Sequence, residues 1–324
     1  MDPKKDTGSY KLITDFTSWF LGSGARKKSD PGILFLSCAL ITAFIIVFMV
    51  GYIFYEAAPV LMKEGIGFVI NTEWNYETGQ FGILIFIVNT VLVTLVTMLI
   101  AVPLGLFTAI FLSEFSPKWL AQALRPMIEL LMGIPSVVYG IFGLFVLGNF
   151  FETTVNPIID STLGFIPIFD NVTPTGSSIL LASFVLAVMV LPTMTVLSEE
   201  AIRSVPQGLR EGSYALGTTR WETTKKLLIP IASKGITTAI ILSMMRAMGE
   251  TMAIVMLTGS VAKIPTSVLD MGMVMTTKLV NDIGYYMAFD EARSALFGIA
   301  AVLFIMEIML IAAVKTISRH GSYE

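Results

Sequence analysis

The chain has 324 residues, 55% hydrophobic and only 14% charged, with a mean hydropathy of +0.78 and a formal net charge of −3. A soluble domain is about one-quarter charged, so this chain could not cover a water-facing surface, and its 11% aromatic content excludes disorder. Long unbroken apolar runs select a membrane helix bundle over an outer-membrane barrel, whose strands alternate.

Residues 1–32 read as a cytoplasmic tail. Within it Leu12, Ile13, Phe16, Trp19 and Phe20 recur at a spacing that suits a helix on the membrane surface, or else a partly ordered tail. The tail is too long for the n-region of a cleaved signal, so the first span reads as an uncleaved anchor. A spanning helix needs about 20 mainly apolar residues. Six stretches qualify, at about 33–55, 83–112, 126–150, 179–197, 235–261 and 294–314. They make residues 33–315 one transmembrane domain, followed by a cytoplasmic tail at 316–324.

The first span contains Cys38, which reads as a small buried hydrophobe. Pro103 and Gly105 are the natural break in the second. The third contains Glu129, four residues after Arg125, which suggests a local pair at the interface. The fifth carries Arg246 and Glu250, and the sixth carries Glu307, for which the sequence offers no partner. With one cysteine and one histidine (His320, near the C-terminus), neither a disulfide within the chain, nor a Cys/His zinc site, nor a Ser-His-Asp arrangement is expected.

Basic residues set the orientation. The two tails and the second and fourth connections hold sixteen Lys and Arg, and the other connections hold four, so both termini are assigned to the cytoplasm. The external connections carry the Gly, Pro, Asn and Thr of turns. The fourth connection, residues 199–234, is basic but too regular to be slack. Pro206 can open a helix through Arg210, Glu211, Gly212, Ser213, Tyr214, Ala215 and Leu216, with Gly217 as its C-terminal stop. Trp221 to Leu228 reads as a second short helix ended by Pro230. A rigid helix at a cytoplasmic tip can dock on a soluble partner and pass its motion to the spans.

This loop resembles that of the membrane subunits of bacterial ABC importers, whose pattern is Glu-Ala-Ala, three residues, Gly, nine residues, Ile-x-Leu-Pro. Here Glu211-Gly212-Ser213, Gly217 and Leu227-x-Ile229-Pro230 fall at the same spacing, with Gly-Ser in place of Ala-Ala and the aliphatics exchanged. Arg210 to Gly217, Ile134 to Gly140, Arg246 to Ala253, and Ala101 to Gly105 followed by Phe111 to Glu114 are similar to the phosphate-specific members. The Ile134 to Gly140 stretch and the long tail favour the C-type subunit, with the A-type as the alternative. The resemblance implies an all-α, six-helix type I importer permease in a bacterial or archaeal plasma (inner) membrane. It also implies an A-type permease partner, two ATPase subunits and an external phosphate-binding protein. ATP and Mg would sit on those partners, since no G-x-x-x-x-G-K-[ST] loop is present and no cofactor is expected on this chain. No nucleic-acid partner is implied.

A charge at the bilayer centre costs about 2.5–3.5 kcal/mol on insertion scales and so needs a reason. Arg246 and Glu250, four apart, would share a helical face. Arg246 can donate two parallel hydrogen bonds to a phosphate, and Glu250 can hold it when the anion is absent; an ion pair that only stabilises packing is the structural alternative. Thr251, Ser136 and Tyr139 are further hydrogen-bonding candidates, the last two beside a Pro135 that can equally be a simple kink. Asn89, Thr90 and Thr94 read as packing polar groups, and the methionines as adaptable packing. Another oxyanion (molybdate, sulfate, phosphonate) fits the same residues. A proton-coupled carrier using Glu250 and Glu307, or a non-transporting scaffold, is the rival from another class.

Overall fold

A computed structural model describes residues 31–170 and 175–320, with side chains described for 32–170 and 175–316. Six of its helices are long and apolar enough to cross a membrane: Gly32–Glu64, Leu84–Phe115, Ser136–Leu163, Ile179–Arg203, Arg220–Gly249 and Asp290–Thr316. The possible surface helix at Tyr10–Leu21 lies outside the described residues. The chain divides into two compact units, one ending at Tyr55 and one from Glu56 onward, with the boundary inside the first helix, α1 (Pro31–Glu64). Up to Met49 nearly every α1 side chain is exposed, Cys38 included, so that residue is not buried as the sequence suggested.

Beyond Glu56, a small antiparallel hairpin pairs β1 (Trp74–Asn75) with β2 (Gln80–Phe81). The second span is α2 (Leu84–Ile110), which continues without interruption through Pro103 and gives way to a π turn at Phe111–Phe115. Packing overrides the proline here: Ala101 and Gly105 are buried, and Gly105 faces Met194.

The third span differs more. The expected start, Pro126, lies inside a separate amphipathic helix, α3 (Lys118–Met132). The chain then breaks at 133–135, where Pro135 is extended (ψ 139°). A proline has no N–H to continue a helix and pushes the residue before it out of the α region, so the span restarts at α4 (Ser136–Phe142) and continues to Leu163 through π turns at Gly143–Leu147 and Phe151–Val155.

The fourth span, α5 (Ile179–Arg203), is the central helix: two-thirds of its apolar window is buried, against 17% for the last span. It packs on α2 and on the fifth span through Val185, Leu186, Met189 and Val190, which share a core with Val93, Ala101 and Ala247. The cytoplasmic loop forms α6 (Gln207–Ala215). Pro230 does not end the following helix. Arg220–Thr223, a π turn at Thr224–Leu228 and α7 (Ile229–Gly249) are continuous, because the π turn re-routes the bonds that a proline would leave open.

The fifth span is also shorter than its apolar run. It stops at Gly249, Glu250 is extended (ψ 133°), and a second short helix, α8 (Met252–Leu257), follows. The next external connection contains α9 (Met275–Tyr286), and the last span is α10 (Asp290–His320).

Candidate translocation site and coupling surface

Two broken spans meet. α4, just after the break at 133–135, packs on α8, just after the break at 249–251. Contact is close because Gly140 has no side chain: a Cβ there would lie 2.8 Å from Met256 Sδ and 3.2 Å from Ala253 Cα. Small residues at such crossings let membrane helices approach. Non-helical backbone at membrane depth is tolerated where protein or a cavity lines it.

Arg246 lies in the last turn of α7, where the helix dipole favours a cation. Its Nη1 donates to Thr193 Oγ1 of α5 at 3.0 Å. It forms no ion pair among the described residues. The expected Arg246–Glu250 pairing on one face is therefore corrected: the helix ends between them, and the carboxylate turns the other way. Glu250 Oε1 accepts from the Ala253 N–H (3.4 Å), capping α8, while its backbone carbonyl accepts from Thr276 Oγ1 (3.0 Å). Half-buried Glu307 approaches the same break, its Oε1 4.0 Å from where a Cβ on Gly249 would lie.

The other nominated hydroxyls are committed locally. Tyr139 Oη donates to Leu131 O at 3.1 Å, and Thr251 Oγ1 to Gly249 O at 3.2 Å. Ser136 is the half-buried first residue of α4. The Arg246 charge acts electrostatically on Tyr139. Asn89 donates to Ile85 O and Lys263 O, Thr90 to Phe86 O and Thr94 to Thr90 O, as packing polar groups do. Sequence reading missed Thr193, whose only cue was a hydroxyl inside an apolar helix.

At the cytoplasmic end, α6 is closed by a Schellman stop: Gly217 N–H donates to Tyr214 O (2.9 Å) and Thr218 N–H to Ser213 O (3.5 Å), with Gly217 at φ +83°. Three hydroxyls, Ser213, Thr218 and Thr223, bond to one another at 2.7–3.0 Å. Thr219 and Glu222 form a reciprocal capping box at the next helix. The turn is thus rigid, and it presents Leu209, Tyr214 and Leu216 outward; Leu216 is 86% exposed. Glu211, Gly212, Ala215, Gly217 and Pro230 are exposed too, and Ser213 is half-buried. Arg210 is not part of the outer face. It pairs with Glu114 at the end of α2 and donates from Nη2 to Ile202 O at 2.7 Å. Arg125 likewise pairs with Glu199 of α5 (2.6 Å), which Arg203 also approaches (3.7 Å), and not with Glu129.

On the external side, Lys278 is buried against Trp74, Tyr76 and Phe86 and pairs with Asp282 at 2.6 Å. Tyr76 donates to the same carboxylate and stacks on Tyr286 (3.6 Å between centroids). Burial, and then the Asp282 bond, push the Tyr76 hydroxyl well above the usual tyrosine range. This clamp ties the hairpin to α9, whose Thr276 holds the Glu250 carbonyl.

The chain matches the family model described as binding-protein-dependent transport system inner membrane component over residues 101–319. It is 39% identical over 255 residues to the probable ABC transporter permease protein YqgH of Bacillus subtilis, covering 78% of this chain and 77% of that one. It is 36% identical over 249 residues to the phosphate transport system permease protein PstC of Xylella fastidiosa, covering 76% of each. A crystal structure of a bacterial alginate ABC transporter, in complex with its alginate pentasaccharide-bound periplasmic protein, shares the fold. Its TM-score is 0.54 at 18% identity, over 89% of this chain and 96% of that one. Of the two subunit types left open by the sequence, the Xylella relative carries the C-type name.

Proposed function

The chain belongs to the family of inner-membrane permeases of binding-protein-dependent ABC transport systems, and from that premise we propose that it is the C-type permease of an ATP-driven importer of inorganic phosphate. The observation that carries the anion reading is Arg246. It is a permanently charged guanidinium inside a spanning helix, beside a helix break, with a neutral hydroxyl as its partner. A cation in that setting needs a functional reason, and an oxyanion supplies one.

In this reading an external phosphate-binding protein delivers the anion, and an A-type permease completes the path. Two ATPase subunits, which carry ATP and Mg, receive α6 and the turn through Gly217, with Pro230 in the helix that follows. Their closure moves α6, the spans rock, and phosphate passes Arg246. Ser136, Tyr139, Glu250 and Thr251 lie along the two breaks that would widen. Tyr139 and Thr251 release local bonds if they join the path, and Glu250 holds the start of α8.

Replacing Arg246 with Gln in the complete reconstituted complex is expected to abolish phosphate uptake while all subunits still co-purify. Normal uptake by R246Q would remove Arg246 from the mechanism. Competition by sulfate, molybdate or phosphonate as strong as that by phosphate would reassign the substrate. Uptake by the purified chain alone under a proton gradient would replace ATP drive with proton coupling.

A further inference from the structure

The hydroxyls of Thr193, Tyr139 and Thr251 differ in where their protons go. Tyr139 and Thr251 each donate to a backbone carbonyl at a helix break, a strong acceptor. Thr193 instead accepts from Arg246 and points its own proton at Met132 Sδ, 3.9 Å away. Thioether sulfur is a weak acceptor, so this donor is the least committed of the three. It also stands on the most buried span, a rigid support for a binding group.

We propose that Thr193 is a second oxyanion-binding residue of the path, working as a pair with Arg246. On arrival of a tetrahedral oxyanion, the guanidinium and the hydroxyl each donate to an anion oxygen. On its departure they bond to each other again. A neutral partner suits this exchange. A carboxylate would add a full ion pair to the hydrogen bond, hold Arg246 more tightly than a hydroxyl can, and repel the anion. The hydroxyl keeps Arg246 placed, yields readily, and then adds a donor. This rests on the reading of Arg246 as the anion site.

The test uses the full complex, with partner permease, ATPases and binding protein, in proteoliposomes supplied with phosphate. T193V and T193A are expected to lower both the maximal phosphate transport rate and the phosphate moved per ATP about tenfold, the scale of one hydrogen bond to a charged group. The binding-protein concentration giving half-maximal rate should be unchanged, and T193S should stay within about twofold of the parent because it keeps the hydroxyl. Parental transport by T193V, or T193S as impaired as T193V, overturns the proposal; the second outcome would assign the effect to the methyl group. If T193V fails to assemble, T193A decides. If neither assembles while T193S does, the hydroxyl belongs to folding and the proposal falls. R246Q in the same membranes separates the two ideas. Normal transport by R246Q sinks the reading of Arg246, whereas a dead R246Q beside a normal T193V sinks only Thr193.

Discussion

Arg210, in the cytoplasmic helix that should meet the ATPase, forms a largely buried ion pair with Glu114 at the end of the second span, 96 residues earlier. The second donor of Arg210 goes to Ile202 O at the end of the central span. One guanidinium therefore ties α6 to two spans at once, so a displacement of α6 is carried into the bundle. Removing one partner of a buried pair typically costs about 3–5 kcal/mol, because the other charge is left uncompensated. R210A is thus expected to lower the thermal midpoint of the assembled complex and to reduce phosphate moved per ATP. E114A should do the same, and the R210A/E114A double variant should be less damaging than the sum of the two. Additive losses in a double-mutant cycle would show that the two residues act independently.

The stop of α6 rests on Gly217. At φ +83° a side chain is strained by about 1–2 kcal/mol, although the space around it is open. G217V is therefore expected to disorder the turn without crowding any neighbour. Co-purification of the ATPase should fall several-fold while the permease still inserts in the membrane. Wild-type yields of ATPase would remove the turn from the docking surface.

The external loop carries a pH dependence that can be signed. Burial alone would raise the Asp270 carboxyl. The Lys263 ammonium at 2.7 Å and the N–H groups of Thr266 and Ser267 outweigh it and hold the carboxyl below its usual range. A group lowered on folding contributes stability that is present above its unfolded value, about 3.9, and is lost as pH falls through the folded value. The protection of the Thr266 and Ser267 amides, measured against their intrinsic exchange rate at each pH, should therefore be constant from neutrality to about pH 5 and fall below about pH 4. D270N should lower the protection of those amides at pH 7 and remove its acid-dependent fall; an unchanged acid profile in D270N would place the dependence elsewhere.

Length and apolar composition made the six spans legible, and the cytoplasmic helix with its glycine stop could be read from spacing alone. The breaks were not, for a physical reason. Hydropathy runs unbroken through Gly133-Ile134-Pro135 and nearly so through Gly249-Glu250-Thr251, so an apolar count continues where the backbone does not. Pairing was the second blind spot. Local spacing joined Arg246 to Glu250 and Arg125 to Glu129. The fold gives these cations Thr193 and Glu199, 53 and 74 residues away in the chain. The Lys278 clamp was invisible likewise, since its rings come from residues 74–86 and its carboxylate from α9.

The two π turns of the third span have a rotational consequence. At about 100° per residue, an unbroken α-helix would place Asn156 about 160° from Gly140, on nearly the opposite side. Each π turn takes in one extra residue and so gives back about 100°. Asn156 thereby returns to within about 40° of Gly140. It is 1% exposed, and its Nδ2 donates to Thr175 O at 3.0 Å. A single helix thus keeps one inward side along its whole length. The glycine that meets the second break and the asparagine that anchors the far end of the span share a common azimuth, which a uniform helix of the same sequence would not give them.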